Sequence, residues 1–207
     1  MTLLPSLLAF TAAAALLTVT PGLDTALVLR TAAVEGPRRA LLAGLGICLG
    51  CLAWGAVVAG GLGALLAASA PAYIVLRYLG AAYLLWLGLR LLTRPRAGMT
   101  EDAVPSSGGG RSWLARGFLT NMLNPKVGAF YVSFLPQFIP AGADVPALTL
   151  VLSGIHAALG LVWFLLLVAA TRPVAAALSR PRLVAALDRM TGAVFLLFAA
   201  RLALDRR

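Results

Sequence analysis

The sequence predicts an all-α integral membrane protein that crosses the bilayer six times. Of its 207 residues, 61% are hydrophobic and only 12% are charged, and the mean hydropathy is +0.94. Charged residues are absent from four long runs, which cover residues 1–23, 40–76, 127–143 and 145–171. About 20 helical residues cross a hydrocarbon core of about 30 Å, so runs of this order indicate bilayer spans. A soluble chain would need polar faces on its helices instead.

Six hydrophobic segments divide the chain into two halves. We place the predicted spans at residues 4–29, 40–66, 71–92, 114–139, 145–170 and 185–205. The first three spans form one predicted unit, residues 1–92, and the last three form another, residues 114–207. Residues 93–113 lie between them and are rich in Gly, Ser, Pro and charge, which is typical of a flexible linker.

The first span contains a break. Its stretch LTVTPGLDTA, residues 17–26, puts Pro21 and Gly22 inside an apolar run and adds the charge of Asp24. Proline supplies no backbone N–H and clashes with the preceding turn, so the helix is predicted to be interrupted here. The freed carbonyl groups, with the hydroxyls of Thr18 and Thr20, can then coordinate a polar solute, which lipid-facing backbone cannot do.

The second span has small residues at spacings that allow another helix to approach closely. These residues are Gly44, Gly46, Gly50 and Gly55. The same span contains Cys48 and Cys51 in a C-x-x-C pattern, without acidic or basic neighbours in the helix. We interpret the two cysteines as small packing residues rather than as a redox or metal site.

The third and sixth spans resemble each other. Residues 77–86 (RYLGAAYLLW) and 189–198 (RMTGAVFLLF) share five identities at a constant offset of 112. This similarity favours an ancient duplication over chance likeness of apolar helices. Since each half has three spans, the two copies must insert in opposite orientations, as in the inverted repeats of secondary transporters. The predicted fold is therefore a 3+3 inverted repeat.

Arginines mark the connections predicted to face the cytoplasm. Twelve of them lie in or beside the connections between spans 1 and 2, 3 and 4, and 5 and 6, whereas the other two connections have only Arg77 at their edge. By the positive-inside rule, this pattern makes the linker cytoplasmic and puts the N terminus outside. Arg201, Arg206 and Arg207 argue mildly against this orientation. The formal charge of +10 thus reports topology and gives no reason to expect a nucleic-acid partner.

The inverted repeat predicts a matching break in the fourth span, and residues 120–128 (TNMLNPKVG) supply one. Pro125 interrupts the helix as Pro21 does in the first span. The amides of Asn121 and Asn124 flank this break, and Lys126 adds a positive charge. The fifth span contains the sole histidine, His156, which we interpret either as a proton relay or as a hydrogen-bonded packing residue.

The two broken segments carry a family resemblance. The stretch Thr20-Pro21-Gly22-Leu23-Asp24 and the later Asn124-Pro125-Lys126 are similar to the two hallmark motifs of the lysine exporter (LysE/RhtB) family of amino-acid efflux proteins. The length, the six hydrophobic segments and the polar central linker agree, so the resemblance covers essentially the whole chain. One departure is Leu23, where the family usually has a second proline. This replacement leaves Asp24 in register but makes the first break less rigid.

The resemblance implies a secondary transporter in the bacterial cytoplasmic (inner) membrane that exports amino acids or close derivatives. An amino-acid zwitterion would fit between Asp24, which would meet its ammonium group or a coupling proton, and Lys126, which would meet its carboxylate. A structural salt bridge between Asp24 and Lys126 is the alternative, because paired ions are the usual solution for buried charge. The expected binding residues are Thr18, Thr20, Pro21, Gly22, Asp24, Asn121, Asn124, Pro125 and Lys126, with Asp24 and His156 as candidates for a proton relay.

Two other functional classes are weaker. Export of another small solute, such as a metal cation, would use Asp24, Cys48, Cys51 and His156 as ligands, but hard cations usually need more carboxylates than this. An intramembrane enzyme is disfavoured, since the sequence has neither H-E-x-x-H nor G-x-S-x-G. It also lacks a P-loop, so transport must use an ion gradient, with proton antiport favoured, or the gradient of the solute itself. We expect no cofactor and no bound metal, and the oligomeric state stays open, with a homodimer among the arrangements allowed.

Overall fold

The structure is a computed structural model that describes residues 2–68, 70–94, 110–178 and 180–204. The described residues fold into α-helices with short connections and contain no strand. The α-helices are α1 (Leu3–Val19), α2 (Leu23–Val34), α3 (Pro37–Ala68), α4 (Ala70–Thr93), α5 (Gly110–Met122), α6 (Pro125–Ala129), α7 (Val145–Ala169), α8 (Thr171–Leu178) and α9 (Pro181–Leu204). Most of the predicted linker, residues 95–109, lies outside the described residues, as do residues 205–207.

The predicted break in the first span is confirmed. Helix α1 ends at Val19 and α2 begins at Leu23, and the two helices are bent by 50° at this point. Gly22 has extended backbone with φ −168° and ψ −170°, and no side chain caps the first turn of α2. The proline-glycine pair thus separates one hydrophobic segment into two helices.

The fourth span is broken more often than we predicted. Helix α5 stops at Met122, and α6 starts at Pro125 after a cap in which Asn124 Oδ1 accepts a hydrogen bond from the Lys126 backbone N–H at 3.1 Å. A π-helical turn, Phe130–Phe134, and a 3-10 turn, Leu135–Phe138, follow directly. The sequence indicates the Asn-Pro break, but nothing in its apolar pattern predicts the π-helical turn.

Helix α3 is the centre of the packing, because it contacts both α5 and α7, while α4 packs on α9. The predicted role of the glycines in α3 is confirmed. A Cβ atom added at Gly46 would collide with the Leu114 carbonyl oxygen of α5, and one at Gly55 would collide with the Ser153 hydroxyl of α7. The small residues therefore set how closely these helices approach.

By length and composition, four of the six predicted spans could cross a membrane as described. Three are single helices, Pro37–Gly61, Val145–Ala169 and Pro181–Ala200, and the fourth is the bent pair α1 and α2. Large apolar side chains such as Leu45 and Leu49 on α3 and Val162 and Leu165 on α7 are exposed, as expected for helices that face lipid. Among the described side chains of α4, the apolar helical segment is Ala81–Thr93, and the broken fourth span offers no helix of spanning length in the described part of the chain.

The connection between the fifth and sixth predicted spans contains a short helix, α8, Thr171–Leu178. The pairings of α3 with α7 and of α4 with α9 are those that two copies of a three-span unit would make. The 3+3 inverted repeat itself stays a prediction.

Candidate functional site

A cleft opens where the two broken segments meet α3 and α7. Its atom-free space is about 450 Å³, including space open to solvent. The main polar lining residues come from both halves of the chain and are Thr18, Thr20, Asp24, Asn121, Asn124, Lys126 and His156. The structure thus brings together most of the residues that the sequence singled out. Gly22 also lines the cleft, whereas Pro21 and Pro125 do not belong to its described lining and act by shaping the two breaks.

The Asp24 carboxylate binds the amides of the second break. Asn121 Nδ2 donates to one carboxylate oxygen at 2.9 Å, and Asn124 Nδ2 donates to the other at 3.3 Å. Asn121 is fully buried, and Asn124 is almost so. Asp24 also lies in the first turn of α2, where the helix dipole favours a negative charge. The acidic group in the first half is therefore stabilised by side chains of the second half.

Lys126 makes the reverse connection from the second half to the first. Its Nζ donates to the Thr20 carbonyl oxygen at 3.0 Å and to the Leu17 carbonyl oxygen at 3.3 Å. These are carbonyls at the C-terminal end of α1, where the helix dipole favours a positive charge. The break therefore holds two opposite helix ends a few residues apart, and each end has a side chain of the matching charge. This arrangement is typical of binding sites formed by discontinuous transmembrane helices.

Asn121 depends on a glycine of α3 for its position. A Cβ atom added at Gly50 would lie 2.6 Å from Asn121 Oδ1 and 2.8 Å from Asn121 Cβ. Asn121 Nδ2 also lies 3.6 Å from Cys51 Sγ, whereas its Oδ1 is buried and has no hydrogen-bond partner among the described residues. Because a buried amide oxygen without a partner is costly, Oδ1 is a candidate acceptor for a donor group of the solute.

Sequence reasoning missed a hydroxyl of α9 that contacts the first break. Thr191 Oγ1 lies 2.7 Å from Thr20 Oγ1, and both residues are buried. Thr20 Oγ1 donates its proton to the Leu16 carbonyl at 2.6 Å, so Thr191 is the donor in the pair. The sequence offers only a weak indication of this role, which is that Thr191 is the one residue with a hydroxyl group in the repeated segment 189–198.

His156 and the two cysteines line the same cleft as Asp24. His156 Nδ1 lies 3.1 Å from the Tyr131 hydroxyl, and its ring is 5.2 Å from that of Phe130 between centroids. Both cysteines are buried free thiols. The described residues contain no group of three or more His, Cys, Asp or Glu side chains that could share a metal ion. Tyr131 is therefore the hydrogen-bond partner that the packing interpretation of His156 requires. The interpretation of His156 as a proton relay stays a prediction.

Broken helices with charged groups at their ends are typical of membrane transport proteins, and comparison with known proteins identifies the family of this chain. The profile of the LysE type translocator family matches residues 15–206, so the chain belongs to this family of transporters and is not an enzyme. No solved structure matches the chain.

Three bacterial relatives show the range of similarity. An uncharacterized membrane protein, YrhP, of Bacillus subtilis is 32% identical over 171 residues, which are 79% of this chain and 81% of the relative. A leucine efflux protein of Klebsiella pneumoniae is 34% identical over 67% of this chain and 66% of the relative. A leucine efflux protein of an Enterobacter strain is 36% identical over 59% of this chain and 58% of its own length. The matches to the efflux proteins thus span about two thirds of those proteins or less.

Proposed function

We propose that this protein exports amino acids or close derivatives from the cytoplasm through the cleft between its two broken segments. The observation that carries the proposal is the placement of one carboxylate and one ammonium group at the two ends of the first break, with amides around the carboxylate. An amino-acid zwitterion carries the same two charges and could exchange for these contacts without adding net charge. The expected partners are Asp24 for its ammonium group and Lys126 for its carboxylate.

The relatives support the same substrate class. Two of them are named leucine efflux proteins, and this chain shares a third of their residues over the matched lengths. The matched family is one of translocators, which agrees with a path for solute across the bilayer. The charged groups of the cleft and the relatives both support an amino acid as the proposed substrate. The relatives, which are named efflux proteins, support the proposed direction of transport.

Proton antiport is the proposed source of energy. Asp24 can exchange a proton for the substrate ammonium because both would use the same carboxylate. His156 lies on the lining of the same cleft and would pass the proton onward through Tyr131, whose hydroxyl lies within hydrogen-bond distance. In this scheme the proton and the substrate compete for Asp24, which is the requirement for exchange of one against the other.

The proposed orientation is a multi-pass protein of the bacterial cytoplasmic membrane, with the N terminus outside and two inverted three-span repeats. Single cysteines replacing Ser106 and Asp144, in a chain with Cys48 and Cys51 changed to Ala, provide the test. We expect Ser106→Cys to react with a membrane-impermeant maleimide from the cytoplasmic side and Asp144→Cys to react from outside. Reaction of both cysteines from one side would contradict the inverted repeat.

Export of a metal cation is the alternative function. Asp24, Cys48, Cys51 and His156 do share the lining of one cleft. However, the described residues do not group three such side chains closely enough to hold an ion. The amides that surround Asp24 favour an organic solute with hydrogen-bonding groups over a bare cation.

The proposal is tested with purified protein in proteoliposomes that contain labelled amino acids. We expect efflux of at least one neutral amino acid to accelerate when the outside is made acidic, and a protonophore to remove the acceleration. The Asp24→Asn variant is the matched control, because it keeps the shape of the side chain and removes its charge. Efflux from wild-type vesicles no faster than from protein-free vesicles, for every amino acid tried, would refute the proposal.

A further inference from the structure

The cleft has an apolar end that the zwitterion contacts do not use. Helices α3 and α7 run antiparallel along it, as the facing residues show. A Cβ atom added at Gly44 would lie 3.1 Å from Phe164 Cβ, and one at Gly160 would lie 3.6 Å from Cys48 Sγ. The order of these pairs reverses along the two helices, so Phe164 and Gly160 face the early part of α3. Both residues line the cleft.

The charged end lies further along α3. Gly50 faces Asn121, and Cys51 lies 3.6 Å from the Asn121 amide that binds Asp24. At a rise of about 1.5 Å per residue, positions 50 and 51 are roughly 3 to 10 Å along the helix axis from positions 44 to 48, which face Phe164 and Gly160. This distance is about the length of an amino-acid side chain of moderate size. A substrate held by its ammonium and carboxylate groups at Asp24 would therefore direct its side chain toward the apolar end.

The apolar end offers no partner for a charged side chain. Asp24 and Lys126 are the charged residues of the cleft's described lining, and both belong to the two breaks. The other end is formed by Ile47, which is 2% exposed, with the Cys48 thiol, Phe164 and the open face of Gly160. A third charge placed there would lose its hydration without gaining a counter-ion, which is strongly unfavourable. An aliphatic side chain would instead gain from burial.

We propose that Ile47, Gly160 and Phe164 form the side-chain subsite of the transported amino acid. The subsite selects uncharged, apolar side chains of about leucine size and rejects basic ones, and Gly160 sets its size limit. This inference rests on the proposed function, because it assumes that the substrate is an amino acid held at Asp24 and Lys126.

Gly160 is the position where size can be changed without disturbing the fold. A Cβ atom there would meet Cys48 Sγ at 3.6 Å and Phe164 Cε2 at 3.7 Å, which are ordinary van der Waals contacts. Gly160→Ala should therefore fold normally and add one methyl group to the cleft. Gly154 on the same helix provides a matched control, since a Cβ atom at that position meets nothing within 4 Å and the residue does not line the cleft.

The experiment measures efflux of leucine, alanine, phenylalanine and lysine from proteoliposomes, expressed as Vmax/KM for each. For the wild type we expect leucine to be exported and lysine to remain at the protein-free rate. Gly160→Ala should lower the leucine-to-alanine ratio by about tenfold, since one methylene is worth this order of discrimination. Gly154→Ala should leave the ratio unchanged. The variant Ile47→Ala enlarges the same subsite and should raise phenylalanine export relative to leucine.

The outcomes separate the subsite from the proposed function. Lysine exported as well as leucine, or equal ratios in the wild type, Gly160→Ala and Ile47→Ala, would overturn the subsite while leaving amino-acid export intact. Should Gly160→Ala fail to reach the membrane, the rise in phenylalanine export relative to leucine that is expected of Ile47→Ala still decides the question. Absence of export for every amino acid in the wild type would instead overturn the proposed function.

Discussion

Each of the two helix breaks contains a proline, but the breaks are stabilised in different ways. At the second break, Asn124 caps α6 through its own side chain, so the new helix is started by a neighbouring residue. At the first break, Gly22 precedes α2 without a side-chain cap, and the carbonyls at the end of α1 accept hydrogen bonds from Lys126 of the other half. The second break thus has a local side-chain cap in addition to its contacts with Asp24, whereas the first break has no such cap and depends on contacts made across the molecule.

This difference indicates which contacts can respond to a solute. In the proposed transport cycle the two halves move relative to each other, so contacts within one segment would persist, whereas contacts between halves would be remade in each state. The contacts of Asp24 and Lys126 are contacts between halves, since each residue binds groups from the opposite half. We infer that the contacts of Asp24 and Lys126 with the opposite half are the ones that exchange their partners, whereas the Asn124 cap of α6 stays in place.

The largest expected effect comes from removing both charges. In the double variant Asp24→Asn with Lys126→Gln, we expect normal folding and loss of transport to the protein-free rate. Folding should survive because Asn121 can rotate its amide and accept from the new amide at position 24 with Oδ1, which has no partner among the described residues. Transport should fail because the zwitterion loses both counter-charges. The measurement is efflux at matched membrane abundance, with monodispersity in detergent as the check on folding.

A structural salt bridge would give the opposite result for this double variant. If the two residues served only to neutralise each other, removing both should be tolerated better than removing either one. Recovery of export in the double variant, relative to Asp24→Asn and Lys126→Gln alone, would therefore leave the pair as a structural contact. The exchanged variant Asp24→Lys with Lys126→Asp should also be inactive, since each helix end would meet a charge of its own sign.

The proline variants test whether transport depends more on the proline of the first break, which has no side-chain cap, than on the proline of the second break, which has one. Pro21→Ala restores a backbone N–H where no side chain caps α2, so α1 can extend through the break and move its terminal carbonyls away from Lys126. Pro125→Ala leaves the Asn124 cap in place, and α6 should still begin near residue 125. We expect transport to fall in both variants, by about tenfold or more in Pro21→Ala, which corresponds to about 1.4 kcal/mol, and by less in Pro125→Ala.

Efflux assays on the two proline variants, side by side, decide the comparison. Equal losses of transport would show that the Asn124 cap does not keep the second break in place when Pro125 is replaced. Full activity in both variants would show that neither proline shapes the site. The double variant Pro125→Ala with Asn124→Ala removes the cap as well, and its loss should approach that of Pro21→Ala.

The sequence predicted the parts of the site that depend on local chemistry. Pro21 and Pro125 interrupt helices wherever they occur in an apolar run, and the glycines of α3 report close packing by their spacing alone. The positions of Asp24 and Lys126 within the breaks followed from the same motifs. None of these inferences required knowledge of which helices are neighbours.

The missed features depend on how helices are rotated against each other. Thr191 and Phe164 lie on helices that are apolar over most of their circumference, so no polar face reveals which side meets the cleft. Gly160 has no special backbone conformation, and its role appears only when Cys48 and Phe164 are placed beside it. The π-helical turn Phe130–Phe134 also follows from packing, in which Phe130 and Phe134 stack at 5.0 Å between centroids.

The smallest expected effect concerns the contact that ties the first break to α9. Thr191→Val keeps the shape of the side chain but removes the hydroxyl that donates to Thr20, while Thr191→Ser keeps the hydroxyl. Loss of one buried hydrogen bond costs about 1 kcal/mol, so we expect roughly a fivefold fall in Vmax/KM. The fall should appear mainly in KM, because the Thr20 carbonyl holds Lys126, the proposed carboxylate partner. Thr191→Ser should retain most of the activity.

A double-variant comparison distinguishes positioning of the break from a general loss of stability. In a Thr20→Ala background the hydroxyl contact is already absent, so Thr191→Val should have little further effect on KM. Thermal unfolding in detergent serves as the second readout, and Thr191→Val should change it similarly in both backgrounds if the residue acts only through packing of α9. An equal rise in KM with and without Thr20 would exclude Thr191 as a positioning residue. A rise confined to the Thr20-containing protein would show that α9 controls the first break through this hydroxyl pair, and that this break depends on helices beyond its own segment.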